Sequence, residues 1–65
     1  LIKGTLYYRR KALVKVEDVG FNNVNDVIEY LMARMPDTIP ARTMVQIRIE
    51  NKDKGQTKDY SRIVK

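Results

Sequence analysis

The stretch TMVQIRIENKDKGQTKDYSRIV, residues 43–64, decides the fold of this chain. In its first part every second residue is a β-branched aliphatic side chain, which is the pattern of a strand with one buried face. A loop rich in turn-forming residues follows, and Gly55 can adopt the positive φ that hairpin loops of this length need. The stretch therefore predicts a β-hairpin. Its predicted parts are a strand over residues 43–50, a loop over 51–55 and a strand over 56–64.

One amphipathic helix is predicted before this hairpin, over residues 24–35. Apolar side chains recur there at helical spacing: Val24, Val27, Ile28, Leu31, Met32 and Met35. Asn22 or Asn23 is suited to cap the first turn, because its side chain accepts a hydrogen bond from a free backbone N–H. Pro36 ends the helix. We interpret the apolar stripe as core rather than as a methionine-rich docking surface.

The first sixteen residues predict two more strands, 1–8 and 12–16, separated by Arg9, Arg10 and Lys11. These three residues include none of the usual turn formers, so they form a poor turn sequence. Two interpretations therefore stay open for this segment. One is a hairpin with the three cations at its tip, and the other is a single long strand with a bulge.

The predicted elements occur in the order β-β-α-β-β within one domain of residues 1–65. We expect an α+β fold: a small two-layer domain with one helix packed on one face of an antiparallel sheet of about four strands. Domains of this size often rely on disulfides, metals or oligomerisation for stability. Because the chain contains no Cys and no His, disulfides and the usual zinc sites are excluded. Oligomerisation is the remaining source of stability of these three, so we expect a homodimer.

Enzymatic activity is not expected from this composition. Without His and Cys, the chain lacks the commonest general base and the thiol nucleophile. The three glycines are isolated and do not form a phosphate-binding loop. We therefore predict no catalytic residues, no metal and no cofactor.

A membrane is not an expected partner either. No apolar run approaches the length needed to cross a bilayer. The polar face of the predicted helix carries Asp26 and Glu29, which have the wrong sign for an anionic membrane surface. The absence of cysteine fits a reducing compartment, so we expect a cytoplasmic location.

Charge is sorted along the chain, which has a formal net charge of +5. The net charge is +5 over residues 1–16, −4 over residues 17–41 and +4 over residues 42–65. The two basic segments contain the predicted strands, and the acidic segment contains the helix. A sheet that pairs the basic segments would present a cationic surface away from the helix. This arrangement indicates an anionic partner.

We expect that partner to be nucleic acid, either DNA or RNA, bound by the basic sheet face and the hairpin tips. On an open sheet, cations hold phosphates while tyrosine rings stack on bases. Arg48 is predicted to lie at the centre of this face. Depending on the register, its neighbours are Tyr60 and Arg62, or Ser61 and the positions that flank Lys58. The predicted nucleic-acid-binding residues are Arg9, Arg10, Lys11, Arg48, Lys58, Arg62, Tyr7 and Tyr60.

An alternative hypothesis belongs to another class of function. The protein would be a small protein–protein interaction module, an adaptor or inhibitor, that docks on an acidic partner surface or adds a strand to its sheet edge. Tyr30, Met44 and Tyr60 are the candidate anchors for such a partner. Binding of short DNA and RNA at physiological salt distinguishes the two hypotheses.

Overall fold

The structure, a computed structural model, describes residues 2–17, 20–21 and 23–65. Its elements are the strands Ile2–Tyr8 (β1) and Lys11–Glu17 (β2), the helix Val24–Ala33 (α1), and the strands Met44–Asn51 (β3) and Gln56–Ile63 (β4). The strands form one antiparallel sheet in the order β2-β1-β3-β4. The predicted α+β class and the β-β-α-β-β order are confirmed. Each hairpin keeps its two strands adjacent, and β1 pairs with β3 at the centre.

The core lies between the helix and one face of the sheet. Residues directly opposite each other in an antiparallel pair share a face, so Leu6 and Ile47 point to the same side as the helix. The alternation predicted for β3 is therefore its burial pattern in the fold. The buried apolar residues are Leu6, Val16, Val27, Ile28, Leu31, Ile39, Val45, Ile47, Ile49 and Val64.

Gly4 allows the helix to approach β1 closely. A Cβ atom at this position would lie 2.5 Å from Val27 Cγ1, 3.1 Å from Leu31 Cδ1 and 3.3 Å from Val16 Cγ1. Neighbouring atoms would have to move to accept even one methyl group. The small residue at this point of β1 is therefore needed for the packing of the helix layer.

The helix begins with the expected type of cap. Asn23 has an extended backbone, and its Oδ1 atom accepts a hydrogen bond from the backbone N–H of Asp26 at 3.0 Å. The other candidate cap, Asn22, lies outside the described residues. The carboxylate of Asp26 lies in the first turn, where it interacts favourably with the positive end of the helix dipole.

The regular helix ends two residues earlier than the apolar stripe predicts. The backbone N–H of Arg34 donates to the Leu31 carbonyl at 3.2 Å, and that of Met35 donates to the Met32 carbonyl at 3.4 Å. These three-residue spacings tighten the last turn. Pro36 follows, and it has no N–H group with which to continue the helix.

The N-terminal third is a hairpin and not one long strand. Arg9 and Arg10 connect β1 to β2, and both have a positive φ, 51° and 67°. This is typical of a type I′ turn, whose twist matches that of two paired strands. A bulge is nevertheless present within the hairpin, because the pairing shifts between Leu6 and Tyr7 and leaves Leu13 as the extra residue of β2.

Candidate nucleic-acid interface

The sheet face opposite the helix is not the cationic surface that the sequence predicts. The strand registers place six charged side chains on it: Lys3, Lys15, Arg48, Glu17, Glu50 and Asp59. Arg48 Nε donates to Asp59 Oδ1 at 3.0 Å, and Lys3 Nζ lies 4.0 Å from Glu50 Oε2. Positive and negative groups are therefore balanced on this face. The prediction of a broad basic face is wrong, because acids on neighbouring strands lie opposite the cations.

Arg48 is held by the protein's own carboxylate. Asp59 lies directly opposite it on β4, and its hydrogen bond and negative charge raise the pKa of the Arg48 guanidinium. The Arg48 Cζ atom also lies 5.9 Å from the centre of the Tyr7 ring. Arg48 is thus suited to position the Tyr7 ring, and its charge is already matched by Asp59 and not available to a phosphate.

Of the two registers left open by the sequence, the structure has the one that places Ser61 and a residue flanking Lys58 beside Arg48, and not the one that places Tyr60 and Arg62 there. Both lie opposite buried residues of β3, so their side chains point to the helix side of the sheet. Lys58 points the same way, because the faces of a strand alternate with a period of two. The Arg62 Cζ atom lies 5.8 Å from the centre of the Tyr60 ring. The nearest β4 residues on the face of Arg48 are Asp59 and Ser61.

The loop between β3 and β4 is a well-built turn with balanced charge. Lys52 Nζ donates to Glu17 Oε1 at 3.1 Å, and this hydrogen bond and charge lower the pKa of the Glu17 carboxyl. Asn51 Oδ1 accepts a hydrogen bond from the backbone N–H of Lys54 at 3.3 Å. Gly55 supplies the residue with positive φ, at 61°. This tip is therefore a poor candidate for a phosphate clamp.

Five cations that form no ion pair within the described residues lie at the other end of the sheet. The β1–β2 turn lies there, and because β1 and β3 are antiparallel, the start of β3 lies beside it. The segment before β3 is joined to the residues after β4, since the Arg42 N–H donates to the Val64 carbonyl at 2.6 Å. We define the cationic end as Arg9, Arg10, Lys11, Arg42 and Lys65.

All five side chains of the cationic end are exposed. None of them forms an ion pair with any residue of the described chain. The Arg9 Cζ atom lies 5.3 Å from the centre of the Tyr8 ring, so an aromatic contact rather than a carboxylate orients this side chain. Like charges that no ion pair neutralises create a positive potential that attracts anions.

The arginines of the cationic end share an unusual backbone conformation. Arg9, Arg10 and Arg42 have φ values of 51°, 67° and 66°, and within the described ranges no other non-glycine residue has a positive φ. The left-handed conformation costs an ordinary residue about 1–2 kcal/mol. Asn-Gly is the pair preferred in a type I′ turn. Sequence analysis missed Arg42 because only the folded sheet brings it near the turn.

A shallow pocket lies beside the β1–β2 turn on the sheet face opposite the helix, which we call the open face. It has a volume of about 230 Å³ and is lined by Tyr7, Arg9, Arg10, Met44 and Gln46. Met44 and its cross-strand partner Ile63 are 57% and 59% exposed. The open face thus has an uncharged half beside the cationic end and an ion-paired half beyond it.

The three residues predicted to anchor a protein partner do not form one surface. The Tyr30 ring contacts the edge of Phe21 at a centroid distance of 5.4 Å, and Arg34 Cζ lies 3.5 Å from the centre of the same ring. Tyr60 points to the helix side of the sheet, whereas Met44 lies on the open face. Only Met44 remains as an anchor next to the cationic end.

Two other kinds of site find no support in the described ranges, 2–17, 20–21 and 23–65. No group of three or more acidic, His or Cys side chains is placed there to hold a metal ion. None of the helical structure in these ranges is long and apolar enough to cross a membrane.

Comparison with known proteins gives no family for this chain. Protein-family models, curated proteins and solved structures were compared with it, and no significant match was found. The geometry and charge of the residues themselves are therefore the only basis for assigning a function.

Proposed function

We propose that this protein is a non-enzymatic nucleic-acid-binding module whose cationic end contacts the phosphate backbone. One observation carries the proposal: exposed Lys and Arg side chains from three separate parts of the chain lie at the same end of the sheet and form no ion pair within the described residues. Such a cluster favours a polyanion, because each neutralised phosphate releases condensed counterions.

The proposed interface is narrower than the one predicted from the sequence. Arg48 is paired with Asp59, and the side chains of Lys58 and Arg62 point to the opposite side of the sheet. The phosphate contacts are therefore assigned to the cationic end, and Tyr7 is retained as the neighbouring aromatic residue.

The backbone of the β1–β2 turn also supports this assignment. A turn that only connected two strands would be more stable with Asn-Gly at its two positions. Arginine costs backbone free energy here, and such strain is concentrated at functional positions in proteins. In return, a guanidinium group offers two parallel N–H donors to a phosphate, and its charge does not depend on pH.

The test replaces the turn arginines by the pair that prefers this turn, in the double variant Arg9→Asn/Arg10→Gly. The hairpin should be retained, so a loss of binding cannot be attributed to unfolding. We expect the slope of log affinity against log salt to fall by about 1.4 on single strands, at about 0.7 per phosphate contact. Affinity at 0.15 M salt, measured by fluorescence anisotropy, should drop by about tenfold.

The matched control is Lys54→Gln/Lys58→Gln, which removes the same charge far from the cationic end. Its affinity should stay within about threefold of the unmodified protein, because distant exposed charges are screened at this salt concentration. Equal losses in both double variants would show that binding follows net charge and not this surface. Undetectable binding of DNA and RNA by the unmodified protein would refute the proposal.

The second candidate function is a protein–protein interaction module. It is favoured by the opposed pair Met44 and Ile63, because large apolar side chains exposed together on a sheet often mark a protein contact. The same binding measurements decide between the candidates. Self-association through this pair, together with no binding of nucleic acid at physiological salt, would support the second candidate function.

A further inference from the structure

We propose further that the pocket beside the turn receives one unpaired base, so that the preferred ligand is single-stranded nucleic acid. This inference rests on the proposed function and adds the strand state of the ligand to it. The cationic end alone would bind any phosphate backbone. The pocket would allow the protein to distinguish a single strand from a duplex.

One wall of the pocket is the aromatic ring of Tyr7. Tyr7 lies on the open face of β1, opposite Gln46 of β3. Arg48 approaches the Tyr7 ring and is itself fixed by Asp59. A base can stack on such a ring only if one of its own faces is free. In a duplex both faces of an internal base are already stacked, so the pocket selects an unpaired nucleotide.

The remaining walls of the pocket include one apolar and one neutral polar side chain. Met44 offers an adaptable apolar surface, and the Gln46 side chain offers both a hydrogen-bond donor and an acceptor to a base edge. None of the lining residues is acidic. The pocket therefore combines stacking, apolar contact and one neutral polar group, which suits a nucleobase better than a lone anion.

The phosphate of the bound nucleotide is assigned to the β1–β2 turn. Arg9 and Arg10 line the same pocket, so a base stacked on Tyr7 brings its own phosphate to the β1–β2 turn. Stacking on an aromatic ring with adjacent cations is the usual way in which proteins bind single strands. The geometry thus joins the pocket and the cationic end into one site for a nucleotide unit.

The experiment measures the binding of each protein variant to both an intact and a modified ligand. Tyr7→Leu removes the ring and keeps an apolar side chain, and Tyr60→Leu is the control on the other side of the sheet. The ligands are a single-stranded oligothymidylate, the same strand with abasic sites, and a duplex of equal length. Affinities are measured at equal salt, and thermal unfolding by circular dichroism verifies that each variant is folded.

We expect the unmodified protein to prefer the single strand over the duplex. Tyr7→Leu should weaken binding of the intact strand by about fivefold to a hundredfold, which is the range measured for loss of one stacked base. Abasic sites should weaken binding of the unmodified protein to a similar extent and leave Tyr7→Leu almost unaffected. The salt dependence should be the same for both proteins, because no phosphate contact is lost.

Equal binding of intact and abasic strands by the unmodified protein would overturn the pocket assignment, and this result needs no variant to fold. Equal binding of strand and duplex would overturn it too. In both cases a weakened Arg9→Asn/Arg10→Gly variant would still uphold phosphate binding at the cationic end. If that double variant also binds normally, the proposed function fails together with the pocket.

Discussion

The two hairpins of this sheet are both basic in sequence, yet the cations at their tips have different surroundings. In the β3–β4 hairpin, Lys52 is paired with Glu17, and Gly55 occupies the position with positive φ. In the β1–β2 hairpin, Arg9 and Arg10 occupy the positive-φ positions and have no ion pair in the described chain. A cation's neighbours across strands, and not the charge of its own segment, therefore decide whether the cation is free to bind an anion.

The largest effect on stability is expected where the first hairpin meets the helix. Gly4→Ala places a methyl group 2.5 Å from Val27 Cγ1, and such overpacking typically costs about 1–3 kcal/mol. Gly55→Ala is the comparison in the second hairpin. Its Cβ meets no atom within 4 Å, so only the backbone conformation is disfavoured, at about 1 kcal/mol. Urea unfolding measures both, and a Gly4→Ala variant as stable as the unmodified protein would contradict the tight helix packing.

An effect of the opposite sign is expected in the β1–β2 turn. Arg9→Asn/Arg10→Gly removes the cost of two left-handed arginines and should raise the free energy of unfolding by about 1–2 kcal/mol. The same variant is expected to lose affinity for nucleic acid, so stability and binding should move in opposite directions. A lower midpoint of urea unfolding would mean that contacts such as Arg9 with Tyr8 outweigh the backbone strain.

The smallest effect is expected at the ion pair of the second hairpin. The pKa of Glu17 is lowered in the folded protein, chiefly by its hydrogen bond to Lys52. A lowered folded pKa means that this contribution to stability is present above the unfolded pKa and is lost as pH falls through the folded value. In Lys52→Met the Glu17 pKa, followed by NMR, should return toward its ordinary range. An unchanged titration would show that the pair does not persist in solution.

Elements with a clear hydrophobic period were predictable from the sequence. The alternation of Val45, Ile47 and Ile49 correctly predicted a half-buried strand, and the apolar stripe correctly predicted the helix. The β1–β2 turn was not predictable, because Arg9, Arg10 and Lys11 include none of the usual turn formers. Local sequence carries no signal for such a turn when the flanking strands impose it.

The site was less predictable, because it depends on register. Asp59 neutralises Arg48 only in the observed pairing, and a shift by one residue would have placed Lys58 or Tyr60 opposite Arg48 instead. Arg42 joins the cationic end only through the antiparallel pairing of β1 with β3. Both facts involve residues far apart in the chain, so neither is visible in any local pattern.

The central pairing of β1 with β3 joins residues about forty to fifty positions apart, and this bears on how the chain folds. Each hairpin is local and can close in about 1–10 μs, whereas the central pair must first close a long loop that contains the helix. Before that step, two separate hairpins would expose their inner edges and repel each other, since residues 2–17 carry a net charge of +4 and residues 44–63 a net charge of +2. Residues 18–43 between them carry a net charge of −2, so the acidic helix is placed to draw the two cationic halves together as the sheet assembles.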